Sequence, residues 1–80
     1  IEVDVQKRDV YQNGDLVSLG DVQKNLLISL MQNHPNPVVK EELLMLLEKP
    51  SDLALRVNIA KLKKNLGLEI TSVRGVGYKI

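Results

Sequence analysis

The apolar positions of this chain begin with a two-residue repeat. Ile1, Val3 and Val5 alternate with Glu2 and Asp4, the pattern of a half-buried strand. Asp9-Val10-Tyr11 is a second extended run. Asn13-Gly14 then predicts a tight hairpin, because both residues tolerate positive φ. Leu16-Val17-Ser18-Leu19 is the returning strand, so residues 1–19 predict a small antiparallel sheet.

From residue 20 the spacing becomes helical. Gly20-Asp21 breaks the strand, and Asp21 is placed to cap a helix. Val22, Leu26, Leu27, Leu30 and Met31 carry that helix to about Gln32. Pro35 and Pro37, in Asn33-His34-Pro35-Asn36-Pro37, stop it. Val38-Val39 is a short extended piece. A second helix is predicted from Lys40 to about Glu48, with Glu41 and Glu42 near its positive end. Leu43, Leu44, Leu46 and Leu47 form its buried side. Pro50 breaks the chain again, and Ser51 or Asp52 caps a third helix over about Leu53–Leu66. Leu55, Ile59, Leu62 and Leu66 make one narrow stripe along it, and Gly67 is a suitable terminator. Glu69–Arg74 and Tyr78–Ile80 read as two final strands around Gly75-Val76-Gly77. The order is sheet, three helices, hairpin: an α+β domain, with residues 1–19, 20–67 and 68–80 as its parts.

Composition narrows the chemistry. With 80 residues the chain makes one small domain, and its core must be aliphatic, since it has two Tyr and no Phe or Trp. There is no Cys, which excludes disulfides, thiolate metal sites and a cysteine nucleophile, and fits a cytoplasmic origin. His34, the one histidine, sits in a proline-flanked turn and reads as a helix-end residue. No apolar run approaches the roughly 18 residues of a spanning helix. The acids are scattered, with no paired-carboxylate motif and no phosphate-binding glycine loop. An enzyme, a cofactor and a small-molecule substrate are therefore not expected. The chain opens at Ile1, without Met and directly in a strand-like run, and reads as a fragment of a longer protein.

Charge changes the picture most. The formal net charge is +1, but it is unevenly spread. Residues 1–53 hold five basic and nine acidic side chains, −4, whereas residues 54–80 hold six basic and one acidic, +5. Such a split points to an anionic partner for the C-terminal third.

On the third helix, at about 100° per residue, Leu53, Val57, Ala60, Lys61 and Lys64 lie opposite the apolar stripe. Arg56 and Lys63 flank one side of that face, Asn58 and Asn65 the other. This mixture of cations and small apolar groups suits a DNA major groove. There, Lys and Arg donate to guanine or phosphate, and aliphatic groups touch thymine methyls. The plainer reading is a solvated face near a helix C-terminus, where cations also complement the helix dipole. In the hairpin Arg74 stands at a glycine-rich tip, a form that can enter a minor groove. The plainer reading here is a tight hairpin with Gly75 and Gly77 present for positive φ. Tyr78 reads as a packing residue rather than a base-stacking one.

Ser72-Val73-Arg74-Gly75-Val76-Gly77-Tyr78-Lys79-Ile80 resembles the ending of the OmpR/PhoB-type winged-helix domains of bacterial response regulators. In that family the run Thr-Val-Arg-Gly-x-Gly-Tyr-(Arg/Lys) forms the wing. Val57-Asn58-Ile59-Ala60-Lys61-Leu62-Lys63-Lys64-Asn65-Leu66 is similar to the family's recognition helix, Val-x-Ile-x-x-Leu-Arg-x-Lys-Leu. Leu19, Leu26-Leu27, Pro35 and Val38-Val39-Lys40-Glu41-Glu42-Leu43 match in order, so the resemblance covers essentially the whole chain. It implies a winged helix-turn-helix: a four-stranded N-terminal sheet, three helices and a C-terminal β-hairpin wing.

The resemblance also implies double-stranded DNA as partner and transcriptional regulation as function. Arg56, Val57 and Lys61 fall at positions facing the major groove, and Arg74 on the wing arginine of the minor groove. Asn58, Ala60, Lys63 and Ser72 fall where members contact phosphates, and Lys64 on the helix face extends that set. The chain departs from the pattern at Leu53 and Ala60, where basic residues are common, and at Gly20-Asp21, where Thr-Pro is usual. Lys61 and Lys63 replace arginines and lose bidentate geometry. In the family the connection between the second and third helices, here Glu48 to Asp52, often touches RNA polymerase. A homodimer or tandem pair on adjacent half-sites is the expected binding form. The alternative is a winged-helix protein-interaction module that has lost DNA binding and offers Leu53, Val57 and Ala60 as an apolar strip.

Overall fold

Two chain reversals shape the N-terminal end in the computed structural model, which describes all 80 residues. Strands β1 (Glu2–Asp4), β2 (Asp9–Gln12) and β3 (Asp15–Val17) form an antiparallel meander. Val3 lies opposite Val10, and Val10 opposite Val17. Asp4 holds the first reversal: its Oδ1 accepts from the backbone N–H groups of Gln6 and Lys7, each at 3.1 Å. The second is the expected Asn13-Gly14 turn, with φ of 53° and 84°, the signs a two-residue hairpin loop requires. Two reversals yield three strands, so this sheet has three rather than the four implied by the resemblance. The alternation of Ile1, Val3 and Val5 overstates β1. Only Val3 is half-buried, and Val5 falls in the Asp4 turn.

Helix α1 (Asp21–Asn33) corrects the expected cap. Gly20 is the N-cap residue and no side chain caps the helix, because Asp21 is already inside it. There its carboxylate still favours the positive helix end. Leu26, Leu27, Ile28 and Leu30 are buried. His34 ends the helix as expected: its N–H donates to the Met31 carbonyl, and its Nδ1 lies 2.7 Å from the Ile80 carbonyl oxygen.

Strand β4 (Val38–Val39) leads straight into α2 (Lys40–Leu44). This helix is shorter than the predicted Lys40–Glu48. Beyond Leu44 the backbone tightens, with Leu46 N–H donating to Leu43 O and Leu47 N–H to Leu44 O, both 3.1 Å. The tighter turn carries Leu47 into the core and leaves Met45 82% exposed. The connection to the next helix is therefore residues 45–51, not 48–52. In α3 (Asp52–Leu66) the choice of cap is decided: Ser51 Oγ accepts from Ala54 N–H at 3.0 Å, and Asp52 is the first helical residue. Gly67 ends α3 at φ 64°, in the left-handed region.

Strands β5 (Thr71–Val73) and β6 (Gly77–Lys79) make the C-terminal hairpin; β5 is shorter than the expected Glu69–Arg74, losing Arg74 to the turn at residues 74–76, and β6 keeps its expected length but starts one residue earlier. β4 adds to its β6 edge, giving the order β4-β6-β5. One aliphatic core joins the elements. Leu26, Leu27 and Leu30 of α1, Leu43 of α2, Leu55, Ile59, Leu62 and Leu66 of α3, and Val10, Val38 and Ile70 are all buried in it. Burying each such side chain contributes roughly 1.5–3 kcal/mol. Tyr78 packs against this core, half-buried, as expected.

Candidate nucleic-acid interface

The stripe that buries α3 also determines what α3 shows to solvent. Leu55, Ile59, Leu62 and Leu66 face the core, so Arg56, Val57, Ala60, Lys61, Lys63 and Lys64 are turned outward and exposed. Leu53, at 66% exposure, and Val57, at 42%, add aliphatic surface to this cationic face. None of its four cations is in an ion pair. Asn58 stands apart. It is half-buried, its Nδ2 donates to Ala54 O at 2.9 Å, and it lines a groove with Ser18, Glu48 and Asn65 on the flank toward α1.

Both ends of α3 are tied down. Ser51 caps the N-terminus. At the other end Gln12 of β2 donates from Nε2 to the Leu66 carbonyl at 2.7 Å. That carbonyl has no partner within the helix, so Gln12 both satisfies it and anchors α3 to the N-terminal sheet. Sequence reasoning missed Gln12, since nothing local links residues 12 and 66.

The hairpin tip is a tight turn. Val76 N–H donates to Val73 O at 3.0 Å, and Gly75 sits at φ 76°, the positive value a type II turn needs at its third position. Arg74 occupies the second position, exposed, with no ion-pair partner. Ser72 is exposed on β5. Gly77 has another reason than the expected one. Its φ is not positive, but a Cβ there would lie 2.0 Å from Val38 O and 2.8 Å from Lys40 N. β4 crosses so close to β6 that only glycine fits.

That crossing joins hairpin and helix. Lys40 N–H donates to Val76 O at 2.9 Å, and Lys40 Nζ lies 3.4 Å from Asp52 Oδ2 at the start of α3. The basic tip and the cationic helix are thus held through one residue. A hollow of about 400 Å³ beneath the hairpin is lined by Lys40, Ser72, Arg74 and Tyr78 among others. No group of His, Asp or Glu side chains is placed to hold a metal ion. No helix is long and apolar enough to cross a membrane.

A three-helix unit with a cationic third helix and a glycine-supported basic hairpin matches a known family model. Residues 14–80 match the model described as "Transcriptional regulatory protein, C terminal". The chain belongs to this family. It is a family of transcriptional regulators, with the OmpR/PhoB-type winged-helix fold. Among curated proteins the chain is similar to transcriptional regulatory protein VxrB of Vibrio cholerae serotype O1, at 31% identity over 85 aligned residues. The match covers 100% of this chain and 35% of VxrB, so the chain spans about a third of that relative.

Among solved structures the fold matches the DNA-binding domain of the response regulator AdeR, crystallised in complex with an intercistronic region. The TM-score is 0.81 at 20% identity, over 99% of this chain and 90% of that one. It also matches a structure described as a novel family of redox sensors in the streptococci evolved from two-component response regulators. There the TM-score is 0.74 at 28% identity, over 98% of this chain and 38% of that one. The C128D mutant of RitR matches at TM-score 0.73 and 28% identity, over 98% and 39% of the two chains.

Proposed function

We propose that this domain binds double-stranded DNA sequence-specifically, with α3 in the major groove and the β5–β6 wing in the adjacent minor groove. The supporting observation is the coupling of an unpaired cationic helix face to an unpaired wing arginine through Lys40. Arg56, Val57 and Lys61 read base edges, and Arg74 enters the minor groove. Lys63, Lys64, Ser72 and Asn58 contact phosphates. Asn58 reaches its phosphate from the flank toward α1, with its amide nitrogen already held by Ala54 O.

The domain acts as the C-terminal effector of a longer cytoplasmic response regulator that binds as a dimer or tandem pair. Residues 45–51, with Met45 exposed, are its segment for RNA polymerase. A second reading rests on the exposure of Leu53 and Val57: the same face docks an apolar protein partner instead of DNA.

Titration of random duplex DNA at about 50 and about 200 mM salt separates the two readings, because phosphate contacts make affinity fall steeply with salt. Wild type is expected to bind at low salt and to weaken strongly at high salt. Lys61→Ala combined with Arg74→Ala is expected to lower affinity and flatten the salt dependence. Absence of binding at low salt, or binding unaffected by the double substitution, favours the protein-docking reading.

A further inference from the structure

Lys40–Asp52 is the one ion pair of the protein. Asp52 is also the one acidic residue of α3, among four cations. Lys40 lines the hollow beneath the wing beside Arg74 and Ser72, and its backbone is clamped to Val76 O at the wing base. Its ammonium group therefore starts from the gap between the two elements that carry the cationic surface. Both partners are substantially exposed, at 44% and 64%, so the pair adds little to stability. Its consequence lies in where it leaves the charge. At 3.4 Å the carboxylate neutralises the one cation that stands between helix and wing.

We propose that Asp52 is a specificity-determining residue that holds the Lys40 ammonium away from the DNA backbone and so keeps charge-driven, sequence-independent affinity low. Freed from Asp52, Lys40 reaches a phosphate between the groove occupied by α3 and the groove occupied by the wing. The inference rests on the DNA-binding reading above. Arg56, Lys61, Lys63, Lys64 and Arg74 make the sequence-reading and positioning contacts, while Lys40 is withheld. A purely repulsive Asp52, acting on phosphate without Lys40, is the competing account, and it predicts an effect independent of residue 40.

The test titrates a random-sequence duplex of about two helical turns against wild type, Asp52→Asn, Lys40→Met and the double variant, each at about 50 and about 200 mM salt. Asp52→Asn is expected to tighten binding and to steepen the log–log salt slope by about 0.9, one further released counterion. The ratio of affinities at the two salt concentrations then rises about 3.5-fold over wild type. Lys40→Met alone is expected to leave the slope unchanged, and in the Asp52→Asn background to restore the wild-type slope. Unchanged thermal melting of the single variants confirms that the fold is retained.

Tightening by Asp52→Asn that persists with Met at position 40 overturns the proposal in favour of simple repulsion. A slope unchanged in Asp52→Asn, or a shallower slope in Lys40→Met alone, overturns it as well. Failure of wild type to bind at either salt concentration instead removes the DNA-binding reading on which it stands.

Discussion

Two glycines, two positions apart at the wing tip, serve different physical ends, and that difference is measurable. Gly75 has open space around its missing Cβ but a φ of 76°, so Gly75→Ala costs the left-handed penalty of about 1–2 kcal/mol. Gly77 has ordinary backbone geometry but no room, with Val38 O 2.0 Å from where a Cβ would lie. Relief requires β4 to move off β6, and Gly77→Ala is expected to cost about 3 kcal/mol or more. Urea unfolding of the two variants gives the order directly. Equal losses would mean that backbone conformation, not the strand crossing, governs both positions. The motif Arg-Gly-x-Gly is visible in the sequence, but only the pairing of β4 beside β6 reveals why its second glycine is there.

At the level of elements, α3 is legible in the sequence because one stripe of Leu and Ile runs its full length and a Ser and a Gly bracket it. Its mooring is not legible. Ser51 is a local cap, but Gln12 reaches the Leu66 carbonyl from a strand 54 residues away. Ser51→Ala is expected to destabilise by about 1 kcal/mol and Gln12→Ala by a similar amount, about 1 kcal/mol, in chemical denaturation. The two act at opposite ends of the helix with no shared partner, so their effects should add. A marked departure from additivity would show that the ends are coupled.

Helix α2 illustrates the reverse case. Its four leucines suggest a helix to Glu48, yet regular winding stops at Leu44. Placing both Leu43 and Leu47 in the core while the chain turns toward α3 requires the tighter i→i−3 bonds beyond it.

Across the whole molecule the acidic and basic parts of the chain fall on different elements. The basic side chains after residue 53 line α3 and the wing, while the strands that carry Glu2, Asp4, Asp9 and Asp15 form the N-terminal sheet. A single small domain of this kind offers few base contacts, each worth about 1–3 kcal/mol. Useful affinity then calls for two copies on neighbouring half-sites. Selection of bound duplexes from a random library is expected to enrich two half-sites spaced by about one helical turn. Enrichment of a solitary half-site would argue for monomeric binding.

Period, turn chemistry and punctuation are local properties, and for that reason the sequence by itself determined the order of sheet, three helices and hairpin. The same local signals determined the apolar stripe of α3, the Asn13-Gly14 turn, and the exposed faces that carry Arg56, Lys61 and Arg74. Contacts between distant residues leave no periodic trace. Only the tertiary structure decided that Val38-Val39 completes the wing sheet, that Gly77 is a point of closest approach, and that Gln12 anchors the end of α3. It also decided that Lys40 joins wing to helix while its charge is held by Asp52, because that pairing exists only once β4, the hairpin and the start of α3 are packed together.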